Sequence, residues 1–456
     1  MGRGVYTRFC AGVLFPLHER LKRHDTVRIR RELEVSQWWP VERLRALQLD
    51  RLRTLLRSAK QRVPYYRDMF VAQRFNPDDI SKLADIAQLP LLTKALIRAN
   101  TDRMKADGAR NLVRSNTGGS SGEPLTFYLG LDRISHDVAA KWRATRWWGV
   151  DIGDREIVVW GSPIELGAQD RLRALRDRAL RTRLLPAFEM SAARIDEFVA
   201  EIRGTRPKML FGYPSSLSHI ARHARATGQR LDDLGIEVAF VTSERLYDEQ
   251  RASIGEIFNC RVANGYGGRD AGFIAHECPD GEMHVTAEDI IVEIVDTDGK
   301  PLPDGREGEI VVTHLATADF PLIRYRTGDV ATLSRRTCRC GRGLPVIENI
   351  QGRSTDFVVA QDGTVMHGLA LIYILRELSG IAAFKIIQES LTLTRVQIVP
   401  ERHVPAGTDA RIRDGVRKRL GAGVDVVVDV VEQIPAERSG KFRYVISHVA
   451  TRRDPA

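Results

Sequence analysis

SNTGGSSGEPLTFYLG, residues 115–130, is the stretch that decides how this chain is interpreted. Its first part, Thr117–Gly122, mixes three glycines with three hydroxyl side chains, and Leu125–Gly130 is an apolar run typical of a β-strand. Glycines leave backbone N–H groups open to a close ligand, and hydroxyls add donors without bulk. Together they predict a strand–loop–strand clamp for phosphate oxygens. No Gly-Lys-Ser/Thr follows at the Walker A spacing, and a flexible linker is the alternative interpretation.

Length and composition indicate a globular enzyme of two or three domains. The 456 residues are 43% hydrophobic and 28% charged, which is ordinary for this class. The net charge of +10 comes from 69 basic and 59 acidic residues. A basic face can attract nucleic acid, anionic lipid or polyanionic cofactors. We favour solvated helix faces, because no DNA- or RNA-recognition module is visible, and we expect no nucleic-acid partner.

The cysteines and the apolar segments bear on the compartment. Five cysteines scattered over a long chain do not form a disulfide framework, so we expect a reducing, cytoplasmic setting. The apolar run Ala11–Leu17 is too short to span a bilayer, contains Pro16 and lacks a signal-peptide cleavage site. It can lie on a membrane surface, but we expect it to dock onto the core of the protein itself.

Apolar periodicity predicts alternating helices and strands over the first half of the chain. Residues 17–60 have apolar positions at spacings of three and four, which predicts helices. EIVVW (156–160), KMLFGYPS (208–215) and IEVAFVTSE (236–244) are short apolar runs separated by helical stretches. This alternation predicts α/β layers with parallel strands. Ligands bind at the carboxyl ends of such strands.

The second half predicts a β-rich subdomain and then a compact α+β domain. From about Asp289, DIIVEIVD, GEIVVTHL, FPLIRY and DVATLS are predicted as successive strands. The GRSTD stretch (352–356) is the predicted hinge, which divides the chain into domains 1–352 and 353–456. The predicted elements of the second domain are helices over Leu369–Leu378 and Ala410–Leu420, and strands near Phe384–Gln388, Thr392–Val399 and Val424–Val431.

Further motifs follow in a fixed order and carry a resemblance. They are NGYGGRDAG (264–272), YRTGD (325–329), which we interpret as a strand end with a turn, GRSTD (352–356) and SGK (439–441), with VPYYR, LPLLTK, GYPS and TSERL between or before them. In this order the chain resembles the adenylate-forming superfamily, most closely the phenylacetate–CoA ligase family and its relatives in capsule-polysaccharide gene clusters, from about residue 60 to 450. Because the ordered set includes the opening loop, the linker interpretation is rejected.

The resemblance implies a fold and a reaction. The fold is an α/β one, with a large multi-layer N-terminal adenylate-forming domain that includes the β-rich subdomain, and a small mobile α+β C-terminal domain. A carboxylate attacks the α-phosphorus of ATP, pyrophosphate leaves, and a thiol, usually coenzyme A, then displaces AMP from the acyl-adenylate. The expected partners are a carboxylic acid, phenylacetate-like by family, ATP, Mg²⁺ and coenzyme A. A homodimer is an alternative that the sequence does not decide. Transfer to an amine, hydroxyl or carrier in polysaccharide biosynthesis, or a degenerate nucleotide-binding scaffold, are the alternatives.

Site residues are carried over by matching motifs. Lys441 would bridge the ribose and the attacking carboxylate, and Asp270 stands where the family usually has a Mg²⁺-holding Glu. Two departures are Glu123, where a Lys is usual, and Thr355 at the hinge position. The nucleotide-binding set is Thr117, Gly118, Gly119, Ser120, Ser121 and Gly122 around the β- and γ-phosphates, Ser243, Glu244, Gly267, Tyr266 on adenine, Asp329 on the ribose hydroxyls, and Arg353 on ribose or phosphate.

The chain also contains candidate ligands of a zinc ion. HEC (276–278) and CRCG (338–341) bring one histidine and three cysteines as two tight pairs. Thiolates and one imidazole form a closed tetrahedral site of the structural kind. The predicted ligands are His276, Cys278, Cys338 and Cys340. Unrelated reduced cysteines are the alternative, Cys260 can replace a ligand, and Cys10 has no assigned role.

The acid pocket is expected between three segments, Ala139–Trp148, Gly212–Ser215 and the Tyr266 loop. Lys141, Trp142, Tyr213 and Pro214 are the candidates to line it, although most apolar residues there are expected to belong to the core. The sequence does not determine which acid is bound.

Overall fold

The computed structural model describes residues 4–117, 125–160, 171–187, 190, 192–353, 357–363, 365–435 and 443–449. The chain divides into two compact units. Among the described residues, the first extends to residue 350 without residues 328–330, and the second contains those three and the described residues from 351 onward.

The helices of the first unit follow the predicted periodicity. In Val41–Arg62 the buried positions include Leu44, Leu52 and Leu56, all on one side of the helix. After Val41–Arg62 an extended Val63 precedes Pro64, which starts the next helix, because the residue before proline avoids the helical region. The helices are α1 Val5–Phe9, α2 Phe15–Leu21, α3 Thr26–Ser36, α4 Val41–Arg62, α5 Pro64–Ala72, α6 Lys94–Asn100, α7 Leu131–Trp147, α8 Arg171–Ala179, α9 Ala192–Thr205, α10 Pro214–Ala226 and α11 Asp248–Phe258, with a π-helical turn at Cys10–Leu14 and 3₁₀ turns at Pro77–Asp79 and Leu83–Gln88.

A large sheet forms the centre of the first unit, in the order β10-β11-β12-β13-β9-β8-β7-β6-β5-β3-β4. Its parallel part runs from β4 to β7. The helices between these strands provide the crossover connections that parallel strands require, which confirms the predicted alternation. The strands of this part are β3 Glu156–Trp160, β4 Thr182–Pro186, β5 Met209–Gly212, β6 Val238–Thr242 and β7 Arg261–Gly268.

The other part of the sheet includes the predicted β-rich segment. Two expectations are corrected there: Phe320–Arg324 is not a strand, and YRTGD starts strand β12 instead of ending one. The buried Arg324 has a left-handed backbone (φ 52°), which interrupts extended structure, and its guanidinium donates to the carbonyl oxygens of Ala87, Leu89 and Gly299. The strands are β8 Gly272–Glu277, β9 Met283–Val285, β10 Ile290–Val295, β11 Glu307–His314, β12 Tyr325–Leu333 and β13 Val346–Arg353.

The predicted strand–loop–strand is an antiparallel hairpin outside the large sheet. Strand β1 (Val113–Asn116) pairs with β2 (Thr126–Leu129), and Asn116 lies opposite Thr126. Beyond the last pair, the Thr117 N–H donates to the Leu125 carbonyl, and the Leu125 N–H donates to Thr117 Oγ1. The two ends of the glycine-rich segment therefore lie next to each other.

Buried polar contacts connect the first helices to strand β10 and the turn before it. Ser36 Oγ donates to Glu288, Gln48 Nε2 donates to the Ile290 carbonyl, and Arg51 contacts Asp289. Glu288 also accepts two hydrogen bonds from the fully buried Arg143 of α7, at 2.9 and 3.0 Å. Buried charges of this kind require such pairing.

The segment Ala11–Leu17 docks on the core with one face, as predicted. Phe15 is buried against Trp142 and Ile152, and Cys10 is fully buried. Within the described ranges of the chain, no helix has the length and apolar character needed to cross a bilayer.

The second unit contains the predicted α+β pattern. A sheet in the order β18-β17-β16-β19 pairs β16 with β17 antiparallel and takes β18 and β19 as parallel outer strands. A small hairpin, β14 with β15, is separate from it. The elements are β14 Phe357–Val359, β15 Val365–His367, α12 Leu369–Arg376, β16 Ile381–Gln388, β17 Leu393–Pro400, α13 Thr408–Leu420, β18 Asp425–Val430 and β19 Val445–Ser447.

Candidate nucleotide site and candidate metal centre

Three of the predicted motifs meet at one edge of the large sheet. Strands β5, β6 and β7 are parallel neighbours, with Gly212 opposite Val241 and Thr242 opposite Gly265. Residues that follow or end these strands therefore share the carboxyl edge, where α/β folds bind ligands. They are Tyr213 after β5, Ser243 and Glu244 after β6, and Tyr266 near the end of β7.

Glu244 is held in place by a helix. Its carboxylate accepts a hydrogen bond of 3.2 Å from the Ser215 N–H, at the N-terminus of α10. That position stabilises a negative charge, because the first N–H groups of a helix have no partners within the helix. The preceding Ser243 has a left-handed backbone with φ 70°, a costly conformation for a residue other than glycine. The turn after β6 therefore holds Ser243 and Glu244 in a fixed orientation.

Glycines bring the backbone close together around Tyr266. A Cβ on Gly267 would overlap the carbonyl oxygen of Gly272, and one on Gly265 would lie 2.9 Å from the Phe240 ring. The β7–β8 register also shifts between Tyr266 and Gly267. Such irregularities redirect a side chain, and here they set the direction of the half-buried Tyr266 ring.

Asp270 lies in the turn between β7 and β8 and is fixed by two donors. The Tyr325 hydroxyl donates to Asp270 Oδ2 at 2.6 Å, and the Ala271 N–H donates to Oδ1 at 3.0 Å. Arg133 donates to the Asp270 backbone carbonyl. The buried Tyr325 is the first residue of YRTGD, so this motif reaches the site through its tyrosine as well. No sequence pattern pointed to a role for Tyr325.

The remaining predicted nucleotide ligands are placed only in part. Thr117 stands at the base of the β1–β2 hairpin, whereas Gly118, Gly119, Ser120, Ser121, Gly122 and Lys441 lie outside the described residues, as do Glu123 and Thr355. Asp329 lies within β12, directly after Gly328, whose φ is 81°. Arg353 is the last residue of β13.

Three cysteines and one histidine form a compact cluster in the first unit. The ligand atoms of Cys278, Cys338, Cys340 and His284 all lie within 4.8 Å of one another. Cys278 follows β8, His284 is in β9, and the other two are in the turn between β12 and β13. The Cys278 and Cys338 sulfurs are 3.7 Å apart, close to the edge of a tetrahedron with Zn–S bonds of about 2.3 Å. The donor set therefore fits zinc.

The environment of His284 also suits a ligand. Its Nδ1 is 3.1 Å from the Leu344 carbonyl, and its Nε2 is 3.2 Å from Cys340 Sγ. Since Nδ1–H must be the donor to a carbonyl, the neutral ring has its lone pair on Nε2, facing the sulfurs. Burial lowers the pKa of His284 to about 4 and raises the pKa of Cys338 to about 12. A cation would favour the thiolate form of such a buried cysteine.

The predicted ligand His276 is not part of this cluster and is replaced by His284. His276 pairs with His284 across β8 and β9, but its ring packs among aromatic side chains, stacked on Phe273 at 5.3 Å and edge-on to Trp147. Both of its ring nitrogens lack a hydrogen-bond partner among the residues that the structure describes. Burial lowers the pKa of His276 to about 3, so the ring is neutral.

Two candidates for the acid pocket belong to the core. Lys141 Nζ is 3.1 Å from Glu156, and Trp142 is buried against Phe15. Tyr213 is buried as well, and its ring stacks on the half-buried Trp160 with ring centroids 4.3 Å apart, at the carboxyl ends of β5 and β3. This pair provides an aromatic wall near the shared sheet edge.

Known proteins match both the C-terminal domain and most of the whole chain. A family described as the CapK C-terminal domain matches residues 358–448. Protein CapK of Staphylococcus aureus is 23% identical over 414 residues, which cover 88% of this chain and 89% of CapK. The phenylacetate-coenzyme A ligase of Aromatoleum evansii is 29% identical over 342 residues, covering 72% and 74%. The chain is thus similar to phenylacetate–CoA ligases and to CapK.

Solved structures show the same fold. A 2-hydroxyisobutyryl-CoA ligase in the postadenylation state aligns with a TM-score of 0.74 at 21% identity, over 90% of each chain. ATP-bound MatB from Rhodopseudomonas palustris aligns with a TM-score of 0.53 at 16% identity, over 74% of this chain and 67% of that one. The predicted α/β fold with its additional C-terminal domain is confirmed. The predicted enzyme class, an AMP-forming acid–thiol ligase, is borne out at the level of the family.

Proposed function

We propose that this protein activates a carboxylic acid with ATP to an acyl-adenylate and transfers the acyl group to coenzyme A. The observation that carries the proposal is the shared edge of β5, β6 and β7, where GYPS, TSE and NGYGG follow or end adjacent parallel strands. The relatives named phenylacetate-coenzyme A ligase make a phenylacetate-like aryl acid the first substrate to test. The stacked Trp160–Tyr213 pair supports an aromatic acid, since aromatic rings pack favourably together.

We assign nucleotide binding to the residues that the motifs indicate. The glycine-rich segment Thr117–Gly122 would surround the β- and γ-phosphates. Tyr266, with Gly267, would stack on adenine, and Ser243 and Glu244 would line the same edge. Asp329 would accept hydrogen bonds from the ribose hydroxyls, and Arg353 would contact the ribose or a phosphate. A carboxylate suits the ribose because it offers two acceptor oxygens.

We assign Mg²⁺ to Asp270. Carboxylate oxygens are the ligands that Mg²⁺ prefers, often through bound waters. Among the residues that the structure describes, each Asp270 oxygen accepts from one donor, and a carboxylate oxygen with one donor keeps a further lone pair for a water or a metal. Bound there, Mg²⁺ would reduce the repulsion between ATP and the incoming carboxylate. Tyr325 would keep the Asp270 carboxylate in position for it.

We assign adenylation chemistry to Lys441 on a mobile C-terminal domain, residues 353–456. An ammonium group can enter for one half-reaction and leave for the other. Lys441→Ala should slow acid-dependent pyrophosphate release by roughly 10²–10³-fold, as expected for loss of one charge-stabilising group. Lys418→Ala is the matched control, because Lys418 is an exposed lysine of the same unit. Unchanged activity of Lys441→Ala would favour a nucleotide-binding scaffold.

We propose that Cys278, His284, Cys338 and Cys340 bind a structural zinc ion. All four positions come from the protein, which is typical of a closed site without a place for substrate. The site would cross-link the β8–β9 hairpin to the turn between β12 and β13. None of the five cysteines forms a disulfide, which supports a reducing, cytoplasmic setting for the protein.

The deciding experiment measures acid-dependent pyrophosphate release from ATP with a panel of aryl and aliphatic acids, with and without coenzyme A. Pyrophosphate release with any acid establishes adenylation. Strong stimulation by coenzyme A identifies it as the acceptor. Release without stimulation would favour transfer to an amine, hydroxyl or carrier, as the similarity to CapK allows. ATP binding with no active acid in the panel would favour the scaffold.

A further inference from the structure

Residues 4–24 carry a row of exposed apolar side chains. Val5, Phe9, Val13, Leu17 and Leu21 are 83%, 46%, 51%, 55% and 77% exposed. We call this row the apolar stripe. Scattered single apolar residues are normal at a protein surface, but a contiguous set is not.

The backbone keeps the apolar stripe on one face. Its members are four residues apart, and in an α-helix each such step rotates by about 40° beyond a full turn. Between α1 and α2 the chain forms the π-helical turn Cys10–Leu14, whose i→i+5 hydrogen bonds hold more residues per turn. Within this turn a step of four residues covers less than a full turn, which offsets the rotation that accumulates in the α-helical parts. The apolar stripe therefore stays on one face over a length of about 24 Å.

The opposite face of the segment is fixed to the first unit. Thr7, Cys10, Phe15 and Glu19 are buried. Thr7 donates to Asp154 at 2.8 Å, and the chain packs so closely that a side chain on Gly153 would overlap Cys10. The core thus holds the segment in one orientation and leaves the stripe facing outward.

The charges beside the apolar stripe are positive. Arg8, Arg20, Lys22 and Arg23 are exposed, and Arg181 lies over the Tyr6 ring of the same segment. Glu19 is the single acidic residue between positions 4 and 24, and it is buried and accepts a hydrogen bond from Thr26. A second copy of this basic segment would be repelled, whereas an anionic surface would be attracted.

We propose that residues 4–24 dock the protein on an anionic lipid bilayer. The segment would lie in the plane of the surface, with the apolar stripe at the boundary of headgroups and acyl chains and the basic side chains near lipid phosphates. An apolar face bordered by Lys and Arg is the pattern of interfacial helices. Because the inner face of the segment stays packed on the core, the apolar stripe can reach the bilayer without any part of the protein unfolding. In this it differs from a helix that must leave the core before it binds.

The test is flotation of the full-length protein with vesicles of phosphatidylcholine containing one-third phosphatidylglycerol, and with phosphatidylcholine alone. We expect binding to the anionic vesicles, weaker binding at high salt, and little binding to the neutral ones. Val13→Glu and Leu17→Glu should each reduce binding to the anionic vesicles about tenfold or more. Arg20→Glu should reduce it as well, and its effect should disappear at high salt.

Leu391→Glu is the matched control, since Leu391 is an exposed apolar residue of the second unit, and it should bind vesicles as the parent does. Thermal unfolding checks that every variant is folded. Two results would overturn the proposal: no binding of the parent to anionic vesicles, or glutamate variants that bind as well as the parent. If the parent does not bind vesicles but forms a concentration-dependent dimer, and Val13→Glu abolishes that dimer, the apolar stripe would instead be a contact with a second copy of the chain. Pyrophosphate release is measured separately, so that failure here leaves the proposed enzyme activity untouched.

Discussion

At the scale of single residues, the Tyr325–Asp270 hydrogen bond connects two motifs that are 55 positions apart. Tyr325→Phe removes this donor and keeps the ring. A hydrogen bond to a charged group contributes about 1.5–3 kcal/mol, so we expect adenylation to slow by about tenfold or more, with the apparent Mg²⁺ requirement raised. Pyrophosphate release at varied Mg²⁺ measures both effects. Tyr65→Phe is the control, and an equal loss there would argue against a specific role of Tyr325.

The two histidines of the β8–β9 pair give a second test at this scale. His284→Gln should remove bound zinc and lower the melting temperature, because the ion stabilises only the folded state. His276→Gln should keep its zinc, as should Cys260→Ser, while Cys338→Ser should lose it. Metal content of the purified proteins, followed by a chelator titration of thermal stability, measures this. Zinc retained by His284→Gln but lost by His276→Gln would restore the ligand set expected from sequence.

The three cysteines could be recognised from the sequence because they lie in two short motifs, and His276 was predicted because it lies two positions before Cys278. Proximity in sequence was the wrong criterion. His276 sits inside strand β8, among Phe240, Phe273 and Trp147, whereas His284 comes back to the cysteines through strand pairing. Only the β8–β9 register brings it there, and no local pattern encodes that register.

At the scale of elements, the β7–β8 hairpin depends on Gly267. In Gly267→Ala the new methyl group would overlap the Gly272 carbonyl, so that two paired strands must separate. We expect a loss of about 2–4 kcal/mol in the free energy of unfolding and strongly reduced adenylation. Gly204→Ala is the control, since nothing lies within 4 Å of that position and alanine favours its helix. Urea unfolding compares the two, and equal stabilities would contradict this account of the hairpin.

The strands that were predicted correctly share a simple local cause. EIVVW and IEVAFVTSE are buried parallel strands, and their continuous apolar runs show in the sequence. FPLIRY is also largely apolar, but its first five residues, Phe320–Arg324, are not a strand. Its backbone is turned at Arg324 by hydrogen bonds to residues about 235 positions away, and a tertiary contact of this kind cannot be seen in a local window.

At the scale of the whole molecule, a buried network sets the pH dependence of stability. Burial alone would lower the pKa of His136, but the Asp289 carboxylate 2.7 Å away raises it overall. Burial would raise the pKa of Asp289, but His136 and Arg51 lower it. The stabilisation of the folded state by protonated His136 is complete below about pH 6.5, and it is lost as pH rises through the pKa of His136 in the folded protein. The stabilisation of the folded state by the Asp289 carboxylate is present above about pH 4, and it is lost in acid as the carboxylate becomes protonated.

His136→Gln should therefore cost about 3–5 kcal/mol near pH 6 and less at higher pH, because the parent loses its advantage there. Urea unfolding at a series of pH values measures this. Tryptophan fluorescence reports on the first unit, since all six tryptophans lie between positions 38 and 160. His223→Gln, at a surface pair with Asp196, should change little. A constant difference between parent and His136→Gln from pH 5 to about 9 would exclude the assigned ionisation.

The contacts of the first helices with strand β10 have a consequence for synthesis on the ribosome. Ser36 meets Glu288 across 252 positions of the chain. At elongation rates of about 5–20 residues per second, helices α3 and α4 emerge roughly 10–50 seconds before their partners exist. During that interval the apolar side of α4 has no native surface to cover it. Slowing translation would lengthen this exposure, and a chaperone that shields nascent chains would act first on these two helices.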